Sequence, residues 1–258
     1  MIGVIITGCF GRMGQEIVKL IGAEGFEDFQ IIAGICTREQ VNLPADFKTC
    51  QRLKDYIDKA DVVIDFSVPA SAMEFAKICA AYKKPFVCGT TGFTEEQEIE
   101  LKKLAEQTPL FVSYNMSIGV AKFAQILKHA SNMLAADYDV EILEKHHNKK
   151  ADAPSGTAKM LAGVVAGTKK AKLPAAISTD RNHPRKEGEI GFASIRGGAI
   201  FGEHEVIFAG STDIITLSHQ ALNRGQFAHG ALSVARWLMG KKPGKAYGME
   251  DFVYTPLI

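Results

Sequence analysis

The sequence predicts an α/β chain in two parts. The first is a doubly wound parallel sheet over residues 1–118 and 227–258; the second is a smaller α+β domain with an open mixed sheet over 119–226. Three observations lead there. Short apolar runs alternate with helical patterns through the first half, a glycine-rich turn follows the first run directly, and strands then occur in series without helices between them.

Ile2 to Thr7 is an apolar strand, and Gly8-Cys9-Phe10-Gly11-Arg12-Met13-Gly14 follows it. Met13, Ile17, Leu20 and Ile21 then recur at helical spacing. Strand, glycine turn and helix together form a Rossmann-like dinucleotide fingerprint, in which pyrophosphate rests on the helix N-terminus. The spacing is Gly-x-x-Gly-x-x-Gly, with Phe10 where a glycine is commoner. Further units follow in order: a strand over 30–36 ending at Thr37-Arg38, a strand over 61–66, and a helix over 69–82. A strand over 85–88 then leads into Gly89-Thr90-Thr91, a charged helix covers 94–106, and a strand over 110–114 ends at Asn115-Met116-Ser117. Ligands of such folds gather at the carboxyl ends of the strands, where all these loops fall. Thr37-Arg38 replaces the acid that usually holds a ribose 2′-hydroxyl, a pairing suited to a 2′-phosphate.

Val120, Phe123, Leu127, Ala130 and Leu134 share one helical face, so a helix joins the two parts. A strand over 139–144 enters the loop His146-His147-Asn148-Lys149-Lys150, and a helix runs from Thr157 to Val165. Pro154 suits the first turn of that helix, and Asp152 or Ser155 can cap it. Residues 178–188 form a polar loop, and strands follow over 189–196, 203–209 and 213–219. Phe227, Ala231, Val234, Ala235 and Leu238 mark a last helix, whose Trp237 is a packing residue, and the tail returns to the first domain. His129 and His229 lie on helices; His204 and His219 read as hydrogen-bonded sheet residues.

Composition narrows the class. The chain of 258 residues is 47% hydrophobic and 23% charged with net charge +1, and its longest basic runs are pairs, so neither nucleic acid nor an anionic membrane is an expected partner. No apolar stretch reaches bilayer length, and the start lacks the pattern of a signal peptide. Five cysteines, an odd number in mostly apolar surroundings, fit reduced thiols of a cytoplasmic protein.

The loop after residue 145 carries the chemistry. Histidine exchanges protons near neutral pH, Lys150 offers a point charge to a carboxylate, and the backbone N–H groups around Ser155, Gly156 and Thr157 would bind an anion. No metal is expected, because adjacent histidines do not chelate one ion and Lys149 and Lys150 would repel it. The set describes a site for a small anionic substrate that must be protonated.

These residues resemble a known family. Glu144-x-His146-His147-x-x-Lys150-x-Asp152-Ala153-Pro154-Ser155-Gly156-Thr157-Ala158 is similar to the signature of the dihydrodipicolinate reductases, now called 4-hydroxy-tetrahydrodipicolinate reductases. The likeness spans nearly the whole chain, through Gly11-Arg12-Met13-Gly14, Ile64-Asp65-Phe66-Ser67-x-Pro69, Gly89-Thr90-Thr91-Gly92-Phe93, Asn115-x-Ser117-x-Gly119-Val120 and Gly202-Glu203-His204. The resemblance implies a cytoplasmic, homotetrameric enzyme of lysine and diaminopimelate biosynthesis. It would reduce a cyclic dicarboxylate with NADH or NADPH, by hydride transfer to C4. On that likeness the first domain binds the coenzyme, and the second binds substrate and forms the oligomer. His146 is then the proton donor assisted by Lys150, while His147, Gly156 and Thr157 contact substrate carboxylate. Gly8, Cys9, Phe10, Gly11, Arg12, Met13, Arg38, Gly89, Thr90, Thr91, Tyr114, Asn115, Met116 and Ser117 would contact the coenzyme. Phe10 and Thr37 depart from the family pattern, and Thr37 leaves the coenzyme preference open.

Two rival readings remain, another nicotinamide oxidoreductase acting on a small carboxylate and a non-catalytic coenzyme sensor. The paired histidines with Lys150 and the Pro-Ser-Gly-Thr turn argue against both.

Overall fold

The structure, a computed structural model, describes residues 1–37, 45–135, 137–168, 177–180 and 182–254. They form two compact units, 1–118 with 224–258, and 119–223.

The first unit is built on strands β1 (Ile2–Thr7), β2 (Phe29–Ile35), β3 (Thr49–Cys50), β4 (Val62–Asp65), β5 (Phe86–Cys88) and β6 (Leu110–Val112). Helices α1 (Arg12–Leu20), α2 (Pro69–Ala81) and α3 (Glu95–Leu104) alternate with them. Late in the chain, α6 (Gly225–Leu238), β12 (Ala246–Tyr247) and α7 (Met249–Val253) return to this unit. The sheet is wholly parallel, in the order β12-β6-β5-β4-β1-β2-β3.

Both faces are covered, which explains the unbroken apolar runs of β1 and β4. Ile5, Ala33, Val63 and Phe86 pack with Ala76 and Cys79 of α2 and Leu101 of α3. Val4, Ile6, Val62 and Phe111, pointing the other way, pack with Ile17 of α1 and Ala231, Val234 and Ala235 of α6. Trp237 is indeed packing, edge-on to Phe111, Tyr247 and Phe252. Element boundaries in this unit differ from the sequence expectation by one or two residues, while the two-residue strands β3 and β12 were not anticipated, being too short to show alternation. The five cysteines are free thiols, four of them buried.

In the second unit, α4 (Ile118–Leu134) and α5 (Gly156–Thr168) cover one face of a five-stranded sheet. Its strands are β7 (Asp139–His146), β8 (Ile177–Ser178), β9 (Ile190–Arg196), β10 (Glu203–Ala209) and β11 (Ile214–Gln220), in the order β11-β10-β7-β9-β8. The sheet is mixed: β10 runs antiparallel to β7 and β11, and β9 runs parallel to β7 and β8. Val140 and Ile142, Ile190 and Phe192, and Val206 and Phe208 meet Phe123 and Leu127 of α4 and Leu161 and Val165 of α5. Among the described residues no helix is long and apolar enough to cross a membrane.

Candidate active site

Strand register assembles the chemistry of the second unit. Val140, Ile142, Glu144 and His146 alternate onto one face of β7, the first three fully buried. On that face Glu144 stands opposite His204 of β10 and Ser194 of β9, and His146 stands opposite Arg196. His146 therefore ends a strand and is not a loop residue, as the sequence had suggested. Its position is set by two ladders rather than by a turn.

Glu144 is the hub. Its carboxylate accepts from Arg196 at 2.6 and 2.9 Å, from the Ser155 N–H at 3.3 Å, and pairs with Nδ1 of His146. Burial pushes its pKa up, but the hydrogen bonds from Arg196, Ser194 and His146 outweigh that and hold it at about 2. Arg196 also donates to the Asp152 carbonyl at 2.6 Å, tying the strand to the loop. Burial pushes the His146 imidazole below the ordinary histidine range; Glu144 opposes this, while Lys150 and Arg196 reinforce it. With Nδ1 given to Glu144, Nε2 is the nitrogen left for a ligand. A Cβ on Gly202 would stand only 3.2 Å from it, so glycine there keeps its approach clear.

Ser155 settles the cap that the sequence left between two residues. Its Oγ accepts from the Ala158 N–H at 3.2 Å, its carbonyl accepts from Lys159 at 3.0 Å, and α5 starts at Gly156. Pro154 is accordingly outside the helix, before the cap, and not in its first turn. Nothing lies within 4 Å of a Cβ built on Gly156, so a ligand can reach the positive end of the helix. Lys150 reaches Asp152 at 2.8 Å, and His147 is half-buried with Nδ1 unpartnered among the described residues. His146, Lys150, His147, Gly156 and Thr157 thus fall on the strand end, the following loop and the first turn of α5.

Glu144, Arg196 and His204 belong to this cluster although sequence reasoning gave none of them a role in the chemistry, and the Ser155 N–H, expected to be open to an anion, is instead held by Glu144. His204 in particular is more than a sheet residue: its Nε2 meets the Ser155 Oγ at 3.0 Å, and its ring lies edge-on to His146 at 5.2 Å. The available signal was a glutamate on the apolar face of a strand, since such a charge needs a partner.

The first unit holds a cleft of about 590 Å³ lined by Gly8, Gly11, Thr37, Arg52, Lys54 and Ser67, among others. Gly8 has φ +73°, which favours glycine, and a Cβ there would lie 2.4 Å from the Phe66 carbonyl. Gly11 caps α1 without any side-chain hydrogen bond, so Arg12 and Met13 open a helix end suited to an anion. Cys9 and Met116 are buried, which leaves their main chains for ligand contact. Phe10 is partly buried against the core, so its ring is accommodated beside the turn. Buried Asp65 joins three strand ends, accepting from Thr7, from Ser67 at 2.6 Å and from Thr90 at 2.6 Å. Thr90 is thus held beside Ser67, whose N–H it accepts at 3.0 Å, while Thr91 is exposed. Gly89 packs against the Phe66 ring. Tyr114 is half-exposed and bonds Glu98, Asn115 accepts from the Ser117 N–H at 2.9 Å, and Ser117 donates to Gln226 at 2.9 Å. Arg38 lies outside the described residues. An uncapped helix, hydroxyls and cations around one cleft are a donor set that fits a dinucleotide.

Comparison with known proteins agrees. Residues 2–116 match the family model "Dihydrodipicolinate reductase, N-terminus", and residues 119–253 match "Dihydrodipicolinate reductase, C-terminus". The chain is 41% identical over 254 residues to the 4-hydroxy-tetrahydrodipicolinate reductase of Caldanaerobacter subterraneus, covering 98% of each. It is 38% identical over 250 residues to that of Clostridium tetani, covering 97% of this chain and 96% of the relative. The solved dipicolinate-bound dihydrodipicolinate reductase from Paenisporosarcina superposes with a TM-score of 0.81 at 29% identity, over 97% of this chain and 99% of that one. The chain belongs to the dihydrodipicolinate reductase family of pyridine-nucleotide-dependent oxidoreductases.

Proposed function

We propose that this protein reduces 4-hydroxy-tetrahydrodipicolinate to tetrahydrodipicolinate in the cytoplasm, with His146 as the proton donor. The observation that carries this is the Glu144–His146 pair at the end of β7, beside a helix N-terminus and Lys150. NADPH or NADH, when bound, supplies the hydride. Residues 1–118 and 227–258 serve as the coenzyme domain, with Gly8, Gly11, Arg12 and Met13 at the pyrophosphate and Arg38 favouring NADPH.

The second domain, 119–226, does the rest. Glu144 holds the His146 ring by Nδ1, so that Nε2 faces the substrate. Free, the ring is neutral near neutral pH because burial lowers its pKa. A bound dicarboxylate brings negative charge, which favours the imidazolium and makes a proton available where negative charge develops. Lys150, His147 and the first turn of α5 at Gly156 and Thr157 take the carboxylates, and Lys150 also stabilises developing charge. Loss of water from the hydroxylated ring gives the conjugated imine that the hydride then reduces. The bound ligand of the Paenisporosarcina relative, dipicolinate, supports a planar dicarboxylate in this role.

Replacing His146 with Gln tests the assignment. Expected is a fall in kcat of about 10²–10⁴-fold, the usual range for a lost general acid, with a smaller change in KM. Nearly full kcat at saturating substrate would remove His146 from the role and leave Lys150 as the next candidate.

A further inference from the structure

His204 is a buried histidine that the proposed chemistry does not use. It is 5% exposed, and its Nδ1 meets no partner among the described residues. Its Nε2 meets the Ser155 Oγ at 3.0 Å. That same oxygen accepts from the Ala158 N–H at 3.2 Å, and the main-chain N–H of Ser155 is held by Glu144 at 3.3 Å. Ser155 therefore has its amide tied to the hub carboxylate of β7 and its hydroxyl tied at once to β10 and to the first turn of α5.

We propose that His204 is a positioning residue that fixes the rotamer of Ser155 and thereby aims the first turn of α5, with Gly156 and Thr157, at the substrate carboxylate. The inference rests on the carboxylate site proposed above. A serine cap has three staggered rotamers, and only one places Oγ at the Ala158 N–H. A fixed imidazole on a neighbouring strand selects that rotamer whichever ring nitrogen carries the proton, because Oγ is the shared atom in both tautomers. The helix start is then referenced to the sheet that carries His146, so the proton donor and the carboxylate cradle keep one spacing.

The surroundings keep His204 neutral, as the role requires. The titratable and charged groups facing it are His146 and Glu144 of β7, His219 of β11, and Lys150 of the loop. Burial first, and then His146, holds its pKa down to about 4, with Glu144 opposing. A protonated His204 would instead bury a further cation near Lys150.

Three variants of the full-length protein test this: His204→Phe, Ser155→Ala and the double replacement, with His204→Gln as the conservative rescue. The readouts are the Kd of dipicolinate by calorimetry and the steady-state constants. Expected is a rise of about tenfold in dipicolinate Kd and substrate KM for His204→Phe, the loss of one hydrogen bond. The fall in kcat should be far smaller and coenzyme Kd unchanged. Ser155→Ala should match it, the double replacement should be no worse than either single one, and His204→Gln, whose amide reaches the Nε2 position, should recover most of the affinity. A merely structural role would move kcat, KM and coenzyme affinity together. Wild-type dipicolinate affinity in His204→Phe, multiplying effects in the double variant, or no rescue by Gln in a folded protein would overturn the proposal. Failure of the wild-type protein itself to bind dipicolinate would instead overturn the carboxylate site on which it rests.

Discussion

At the scale of single residues, the site turns on a buried carboxylate that controls an imidazole. Glu144 is fully buried and would be costly alone, but Arg196, Ser194, His146 and the Ser155 N–H satisfy it. Its charge raises the affinity of His146 for a proton, against burial and the two nearby cations. Glu144→Gln removes that support, so the pKa of His146 should fall further. If the protonated ring is the working acid, activity is lost as pH rises through its pKa, and the alkaline limb of kcat should move to lower pH in the variant. An unmoved limb in the pH–rate profile would mean that another group supplies the proton. The sequence displayed His146, Lys150 and the Pro-Ser-Gly-Thr turn because they are contiguous. It hid Arg196 and His204, more than forty residues away, because only strand register brings them to His146.

At the scale of elements, strong local signals were legible and pairings were not. The alternation of β7 and the glycine turn before α1 follow from local chemistry, so both were visible in the sequence. The end of β7 was read two residues early, because His146 stays extended through its ladder to Arg196 rather than through any propensity of its own. The order β11-β10-β7-β9-β8 has a consequence for stability, since it buries groups whose protonation opposes folding. His204 has a native pKa of about 4, below its ordinary histidine value, so the unfolded chain binds a proton first as pH falls below about 6.5. Glu144 at about 2 is also below its ordinary value, and its contribution is lost as pH falls from about 4.5 towards 2. Urea unfolding of the second unit should therefore show stability declining in two stages on acidification, and His204→Phe should shrink the upper stage, to which His146 and His219, also lowered by burial, contribute. A single loss confined to the lower window would contradict the burial assigned to His204.

At the scale of the whole molecule, the open face of the second sheet is the surface we propose for self-association. It carries Leu143, Ile195 and Ile207 with the Lys145 ion pairs to Glu203 and Glu205, opposite the face packed on α4 and α5. A homotetramer built on it should show about four times the mass of one chain in sedimentation equilibrium, whereas a monomer at all concentrations would contradict the assignment. The family and its activity class were legible in the sequence because the signature is contiguous and long. The coenzyme preference was not, since it depends on how groups such as Thr37, Arg52 and Lys54 stand around one cleft. The most direct measurement is oxidation of NADPH and NADH by the purified protein, with 4-hydroxy-tetrahydrodipicolinate freshly formed by the preceding synthase. Expected is turnover within about 1–10³ s⁻¹ with either coenzyme, a higher kcat/KM for NADPH, and competitive inhibition by dipicolinate against the substrate. Tight coenzyme binding without oxidation above the substrate-free rate would contradict the reductase reading and leave a coenzyme sensor in its place.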